Sequence, residues 1–419
     1  MLPSSPAVNQ QMRAPSFRAT VSVVAAGLFV SGLGWPGLLA RLPLGLHLKN
    51  QLQLPAAQVA AFWAVANIVW YLKPLVGLLC DAHPLFGTRR RGYLLAGGAA
   101  AAVGWLALAV VPARYGPLLG AMVALNLAIV VVSTATGGLL VEAAQAHGAT
   151  GRLSALREAL IGAMSLVAGP LGGWLAARAL GWTAAAGALL WLAFLPVVAL
   201  LQREPRQGRD PERSRRVLAG AAAQLRAIRA SPVLARAALL LFLLYLAPGF
   251  QTPLLYHQQD VLHLTPAFMG RLQLVGAAGA LLGAAIYAWL CRRLPLRLTL
   301  VGGIVLNTAS TLFYLGYDSP AAALAITFAA AVLGSIALLP IYDLAARATP
   351  AGSESFGYAL LASVQSLATF AVSDPLGSLL YDRLKLGLPP LVWINAASTA
   401  AVLLFVPFLP RALLAPREG

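Results

Sequence analysis

Charge is scarce in this sequence. Only 10% of its 419 residues are Asp, Glu, Lys or Arg, while 59% are hydrophobic. A soluble domain carries roughly a quarter charged residues. This chain cannot cover a water-facing surface with what it has, so its outer face must meet lipid. Acid is scarcer than base, with 13 acidic against 30 basic side chains and a net charge of +17. In a soluble protein that excess would suggest nucleic acid. In a chain this apolar the basic residues belong to loops and fix orientation, and nucleic acid is not expected as a partner. There are two cysteines, Cys80 and Cys291, each predicted at the cytoplasmic end of a helix. Thiols stay reduced there, which argues against a structural disulfide. His47, His83, His147, His257 and His263 are scattered over loops on both sides, so no metal site is expected. No Walker motif is present, which excludes nucleotide hydrolysis as a driving force. No nucleophile sits with a base and no cofactor fingerprint occurs. The chain is read as neither an enzyme nor a cofactor carrier.

What is there is a series of apolar runs. A bilayer core is crossed by about 20 helical residues, and Gly, Pro and charge cut the chain into runs of that length. They fall at 18–40, 56–80, 92–112, 117–143, 153–178, 182–202, 232–257, 265–291, 296–316, 320–346, 354–381 and 388–410, twelve in all. The first lacks a small-residue cleavage site and is followed by many more, so no cleavable signal peptide is expected. The fold class is an all-α membrane protein, made of a six-helix bundle over 1–202, a basic linker over 203–231 and a second bundle over 232–419. Two echoes at one offset support a duplicated unit. Gly34-Trp35-Pro36-Gly37 precedes Ala247-Pro248-Gly249-Phe250 by 212 residues at the shared proline, and Cys80 precedes Cys291 by 211.

Basic loop residues divide twenty to six when the N-terminus is placed in the cytoplasm. By the positive-inside rule both termini are cytoplasmic, in the inner membrane of a cell. Arg41, Lys49 and Arg114 count among the outer six. The linker segment 215–229 alternates basic and small apolar residues at helical spacing. It reads equally as an amphipathic helix on the membrane surface and as a basic tether.

The strongest local signal leaves span two as Lys73-Pro74-Leu75-Val76-Gly77-Leu78-Leu79-Cys80-Asp81-Ala82-His83-Pro84-Leu85-Phe86-Gly87-Thr88-Arg89-Arg90-Arg91. Gly77 permits close helix approach at the span end. Asp81 is an acid at the membrane boundary, with three arginines as natural partners. Such a network can hold a cytoplasmic gate and break when the halves rock. Positive-inside anchoring alone explains the arginines but not Asp81 four residues after Gly77.

This segment resembles the loop motif of the major facilitator superfamily and, more narrowly, the folate-biopterin transporter family. Second spans in that family end in a Lys-Pro, Gly, Asp, Pro-Leu-Phe-Gly, Arg-Arg-Arg series. Residues 46–57, 256–287 and 340–363 resemble it too, the last through Ala345-Ala346-Arg347-Ala348-Thr349-Pro350-Ala351-Gly352-Ser353-Glu354. The resemblance implies a major facilitator fold with two pseudo-symmetric six-helix halves. It also implies a secondary transporter, coupled to protons and working by alternating access. Its solute would be a pterin, a folate or a related heteroaromatic or anionic metabolite. The chain departs from the pattern in span four. Relatives carry acids ahead of a Val-Glu pair, whereas here Ser133-Thr134-Ala135-Thr136-Gly137-Gly138 precedes Val141-Glu142. That departure keeps open a facilitator-fold protein that moves no solute and serves membrane or pigment assembly. A polar chamber would favour transport, and apolar packing would favour assembly.

Ionisable residues inside a membrane are costly and mark function. Lys73 lies two turns above the end of span two, where it would attract an anion or snorkel to headgroups. Trp35, Asn67, Trp70, Tyr71, Asn126, Ser133, Phe250, Gln251, Gln273, Asn307 and Gln365 are candidates to line the cavity. Pro36 and Pro248-Gly249 can break spans one and seven and turn side chains inward. The Trp and Tyr rings would stack on a flat heteroaromatic solute. Glu142 is expected to pair with Arg152 or Arg157. Arg157 and Glu158 point about 100° apart and are not expected to pair. Asp343 and Arg347 share a face and join Glu354 in a matching cluster. Both clusters read first as gate structure and second as coupling sites, with Glu142 the proton-coupling candidate of the first. Asp374, before Pro375, is either a proton site or the partner of Arg271. A monomer, with membrane lipid, small solute and protons as partners, completes the reading.

Overall fold

The computed structural model describes residues 17–204, 211–229, 232–348, 361 and 363–408. Among them nine helices are long and apolar enough to cross a membrane. They match spans three to ten and span twelve. Spans one, two and eleven fall short because their helices are broken or partly outside the described residues; span seven, counted among the nine, is broken as well. Span one is Phe17–Leu33, a short turn Pro36–Leu39 and then Arg41–Asn50. Span two is Ala56–Ala66, Ile68–Tyr71 and Lys73–Ala82. Span eleven is described from 361 and passes through the π-helical stretch Leu367–Ser373 into Asp374–Arg383.

The break in span one is built by its neighbours. Gly34 and Trp35 leave the helix, and the Gly34 carbonyl accepts from the indoles of Trp105 at 3.0 Å and Trp191 at 3.3 Å. A backbone carbonyl left bare at this depth would cost several kcal/mol. Trp105 and Trp191 are fully buried and anchor the core of the first half, together with Phe62, Trp63 and Phe194. That half packs spans one, three, four and six closely.

Span seven breaks at the matching place. Pro232–Leu246 ends, 247–250 are non-helical, and Gln251–Asp260 resumes. Span eleven closes the gap. Gly249 donates its N–H to Ser373 O at 2.8 Å, Ser373 Oγ donates to Ala247 O, and Asn395 of span twelve donates to Pro248 O at 2.9 Å. The backbones touch here. A Cβ on Gly377 would sit 1.6 Å from Gly249 O, so no other residue fits without moving a helix.

The two halves meet along Thr150–Ala176 and Pro266–Leu290. Gly169 and Gly173 face Gly270, and Cβ atoms there would lie 2.7 and 2.8 Å from opposing backbone oxygens. Small residues four apart are how membrane helices approach without a hydrophobic driving force between them. Among the described residues, the hydrogen bonds and ion pairs joining the halves gather at one end, called here the closed end. The Arg89-Arg90-Arg91 loop lies at the other, called the basic end. Segment 215–229 falls within a helix, Pro211–Arg229, at the basic end against Lys73–Ala82.

Candidate functional site

Three elements meet around Asn126 of span four, which is fully buried. Its Oδ1 accepts from Trp35 Nε1 at 3.1 Å and from Trp70 Nε1 at 2.9 Å. Its Nδ2 donates to Ala66 O at 2.9 Å and Met122 O at 3.1 Å. A buried amide with every valence used is a rigid hub. It fixes two indoles whose centroids are 5.4 Å apart and tilted 60°. Phe370 of span eleven meets Trp35 edge-on at 6.4 Å. The result is a half-buried aromatic wall supplied by both halves.

Lys73 stands beside that wall. Its Nζ donates to Ser133 Oγ at 2.9 Å and lies 5.1 Å from the Trp70 ring. Its partners are therefore a neutral hydroxyl and a ring face. No carboxylate pairs with it among the described residues. Arg157 of span five adds to the positive potential at this ammonium. Asn67 and Tyr71 are turned to local duty. Asn67 is buried and donates to Trp63 O at 2.8 Å at the break in span two, and Tyr71 donates to Ala64 O at 3.1 Å.

The second half contributes space. A cavity of about 500 Å³ is lined by Phe250, Gln251, Asn307, Ser335, Thr369 and Asn395 among others. Phe250 packs edge-on against Tyr314 at 5.1 Å. Gln365 is engaged by Tyr342, whose hydroxyl donates to Gln365 Oε1 at 2.9 Å. A smaller chamber of about 230 Å³ lies between the halves and includes Gln273.

Asp374 differs from expectation. Its neighbour is Arg41, not Arg271. Arg271 is exposed, whereas Arg41 Nη2 lies 3.4 Å from Asp374 Oδ2. Thr252 donates its N–H to Asp374 Oδ1 at 2.9 Å and its hydroxyl to Oδ2 at 2.7 Å. Asp374 therefore caps the resumed helix of span seven, where a carboxylate is favoured, while reaching across to the first half. Arg41 is not a loop residue. Arg41–Asn50 continues span one beyond its break, and the guanidinium lies 4.8 Å from the Trp63 ring.

Three further contacts close the same end. Lys49 pairs with Asp260, the Ala57 N–H donates to Asp382 Oδ2 at 2.6 Å, and Tyr256 donates to Leu54 O.

At the basic end the partners of Glu142 also differ from expectation. Glu142 Oε1 takes Arg90 Nη2 at 2.9 Å and Arg89 Nη2 at 3.0 Å, rather than Arg152 or Arg157. Arg152 is exposed. Arg157 does pair with its neighbour Glu158, at 2.8 Å; these long exposed side chains curl round the helix and overcome the angle between their Cβ bonds. Asp81 takes Arg90 at 2.6 Å and Arg89 at 3.5 Å. Arg90 is buried against Gly138, where a Cβ would fall 2.4 Å from the guanidinium carbon. Glu204, after span six, accepts the backbone N–H groups of Arg89, Arg90 and Arg91 at 2.9 Å each, capping Arg91–Val110. The loop turns through Phe86 and Gly87 with positive φ of 51° and 72°. Gly77 faces Thr134 of span four, with a Cβ-to-methyl approach of 3.4 Å. Asp343 lies half-buried in Pro320–Ala348, whereas the Arg347 side chain and Glu354 lie outside the described residues.

A family model, the BT1 family, matches residues 34–416. The chain belongs to the BT1 family. It is similar to a folate-biopterin transporter of Synechocystis sp., 29% identical over 404 residues, which covers 89% of this chain and 78% of that one. Among solved structures it is similar to the peptide transporter POT, with TM-score 0.72, 14% identity and 96% of each chain covered. It is also similar to a D-xylose–proton symporter, with TM-score 0.69, 16% identity, and 93% and 97% covered. These likenesses show the major facilitator fold. This member of the BT1 family is a multi-pass membrane transporter and not an enzyme.

Sequence reading missed Arg41, Thr252, Phe370 and Glu204. One signal for Arg41 was available. Leu42-Pro43-Leu44 follows it, and an apolar run resuming after a break places the charge inside the membrane.

Proposed function

We propose that this BT1 family transporter moves a flat, anionic heteroaromatic solute of the pterin or folate kind by proton-coupled alternating access. One observation carries the reading. Lys73, with no carboxylate partner among the described residues, stands against two indoles held rigid by Asn126. A ring stacks on the aromatic wall, and a half-buried cation whose nearest acceptor is neutral attracts an anion. The name of the Synechocystis relative points the same way. The polar lining of the larger cavity, with Gln251, Asn307, Ser335 and Asn395, favours transport over an assembly role.

In the same reading the two rocking bodies are residues 1–202 and 232–419. The excess of basic residues at one end supports an inner-membrane protein with both termini in the cytoplasm. The conformer, closed at the opposite end, is then inward-facing. Asp81, Arg89, Arg90, Arg91 and Glu142 brace the cytoplasmic end of the first bundle. Gly77, Arg152, Arg157, Asp343, Arg347 and Glu354 complete that gate. Asp374 is the proton-coupling residue, because its protonation would release Arg41 and remove one of the contacts that hold the closed end.

The test is thermal stabilisation of the purified protein by pterins, folates and nucleosides, with uptake into proteoliposomes. Pterin or folate is expected to stabilise the wild type, and Lys73→Ala to abolish both stabilisation and uptake at normal expression. Unchanged uptake in Lys73→Ala would remove Lys73 from the site. Asp374→Asn is expected to flatten the pH dependence of uptake, and a normal profile would end its proton role.

A further inference from the structure

The chamber of about 230 Å³ between the halves has no part in the stacking site, yet it holds a cation. Arg41 and Trp63 line it from the first half, and Gln251, Gln258, Gln273 and Thr327 from the second. The Arg41 side chain is 24% exposed, against 6% for Asp374. A guanidinium has five N–H donors in a fixed fork. Among the described residues, the side-chain acceptor that Arg41 uses is Asp374 Oδ2, at 3.4 Å. That is the longest of the three hydrogen bonds to Asp374, the others being 2.9 and 2.7 Å from Thr252. Asp374 is thus well satisfied by Thr252 alone, while Arg41 is under-used. Gln251 and Gln273 line the space beyond Arg41 with amides suited to orient a second carboxylate, while the Gln258 amide donates to the Tyr317 hydroxyl at 2.7 Å.

We propose that this chamber is a carboxylate-binding subsite, in which an anionic group competes with Asp374 for the Arg41 guanidinium and so loosens the closed end. The proposal deepens the function proposed above and rests on it for the identity of the solute. A bidentate carboxylate on Arg41 forms two short charge-assisted bonds, where Asp374 supplies one long one. Arg41 and Asp374 lie on opposite halves, so an anion that takes Arg41 removes one of the contacts the halves must break to rock. Binding and opening are then linked through one side chain.

The experiment compares pterin-6-carboxylate with 6-hydroxymethylpterin, which lacks the carboxylate, by quenching of tryptophan fluorescence in the purified full-length protein. Sodium acetate serves as a ring-free probe. Wild type is expected to prefer pterin-6-carboxylate by about tenfold, the worth of one good charged pair. Arg41→Gln is expected to lose that preference while keeping its affinity for 6-hydroxymethylpterin. Arg41→Lys, which keeps the charge without the fork, should fall between. Asp374→Asn removes the competitor and should raise carboxylate affinity several-fold, an effect that mere structural support would not produce. Acetate should weaken the carboxylate preference in wild type and raise thermal stability there but not in Arg41→Gln. If acetate stabilises wild type while the two pterins bind equally, the site takes free anions rather than a group of the solute. A preference that survives Arg41→Gln and vanishes in Lys73→Gln overturns the proposal, as does lowered affinity in Asp374→Asn. If neither pterin binds, the pterin reading fails, and the acetate comparison between wild type and Arg41→Gln still decides the anion site.

Discussion

At the basic end of the molecule, Arg90 is held between Asp81 and Glu142 at 2.6 and 2.9 Å, and all three belong to the first half. At the closed end, Arg41 of the first half reaches Asp374 of the second at 3.4 Å, and Lys49 reaches Asp260 in the same sense. The chemistry is the same and the wiring is opposite. A network inside one half can persist through a rocking cycle, so it acts on stability. A pair between the halves must part in every cycle, so it acts on the balance of conformers. Within the closed end, length follows burial rather than wiring: the Arg41 pair, whose acid is buried, is long at 3.4 Å, while the Lys49 pair, whose acid is exposed, is close. Buried pairs that break cleanly should be only loosely made, because the penalty of stranding a charge grows with burial.

The largest effect that separates the two ends concerns the frame rather than the charges. Gly377→Ala would drive a methyl into Gly249 O, which lies 1.6 Å from the Cβ position. Overpacking of this severity costs about 3 kcal/mol or more. The break in span seven and the cap by Asp374 would both be displaced. Yield of folded protein, read by size-exclusion chromatography in detergent, should collapse. Gly77→Ala, where the nearest atom is a methyl at 3.4 Å, should express normally. Normal yield from Gly377→Ala would mean that spans seven and eleven are not in contact.

Next comes Arg90→Ala, which leaves Asp81 and Glu142 to Arg89 alone and opens a hole over Gly138. Removing one member of a buried pair costs roughly 3–5 kcal/mol. The acids here are partly exposed, at 37% and 38%, so about 2 kcal/mol is the expected loss after screening. Thermal unfolding in detergent should shift down by several degrees, and distances across the closed end should not change. A variant that unfolds normally but opens the closed end would show that the basic network senses conformation after all.

Much of this arrangement was legible in the sequence. Spanning lengths and the breaks at Gly34-Trp35-Pro36-Gly37 and Ala247-Pro248-Gly249 follow from local rules, and so does the position of Lys73 two turns inside span two. Helical period tells which residues share a face, and it does not tell which helix stands opposite. That is why the sequence pairs Glu142 with the nearest arginines along the chain, Arg152 and Arg157, whereas its partners are Arg89 and Arg90 across a helix interface. The same limit hid Thr252 from Asp374. Arg41 was lost for another reason. Counting basic residues as loop anchors treats each as solvated, and a guanidinium over an indole inside a broken span is invisible to that count.

Arg41→Gln tests the other wiring. The fold should hold, because Thr252 still caps with Asp374 and the Gly169, Gly173 and Gly270 contact is untouched. Loss of one partly exposed pair is worth about 1 kcal/mol, or about fivefold in the ratio of conformers. Spin labels at Gln51 and Lys385, exposed on opposite halves at the closed end, would report it. Their distance distribution should gain a longer component in Arg41→Gln with thermal stability within a degree or two of wild type. A large stability loss without that component would make Arg41 a structural residue.

The smallest effect belongs to Lys49→Gln. Lys49 is mostly buried at 11% but Asp260 is 53% exposed, so water solvates the acid whether or not the pair forms. Exposed pairs contribute about 0–1 kcal/mol, and salt screens them further. Lys49 also lies 4.9 Å from the Tyr256 ring, a contact that Gln gives up with the charge. Tyr256 still donates to Leu54 O, and the Ala57 N–H still meets Asp382. The same label pair should therefore shift by less than in Arg41→Gln, and the shift should shrink from 50 mM to 500 mM salt because the pair is open to solvent. Equal shifts in the two variants would place the latch of the closed end at its rim rather than at Arg41, and would move the weight of the comparison from the buried pair to the exposed one.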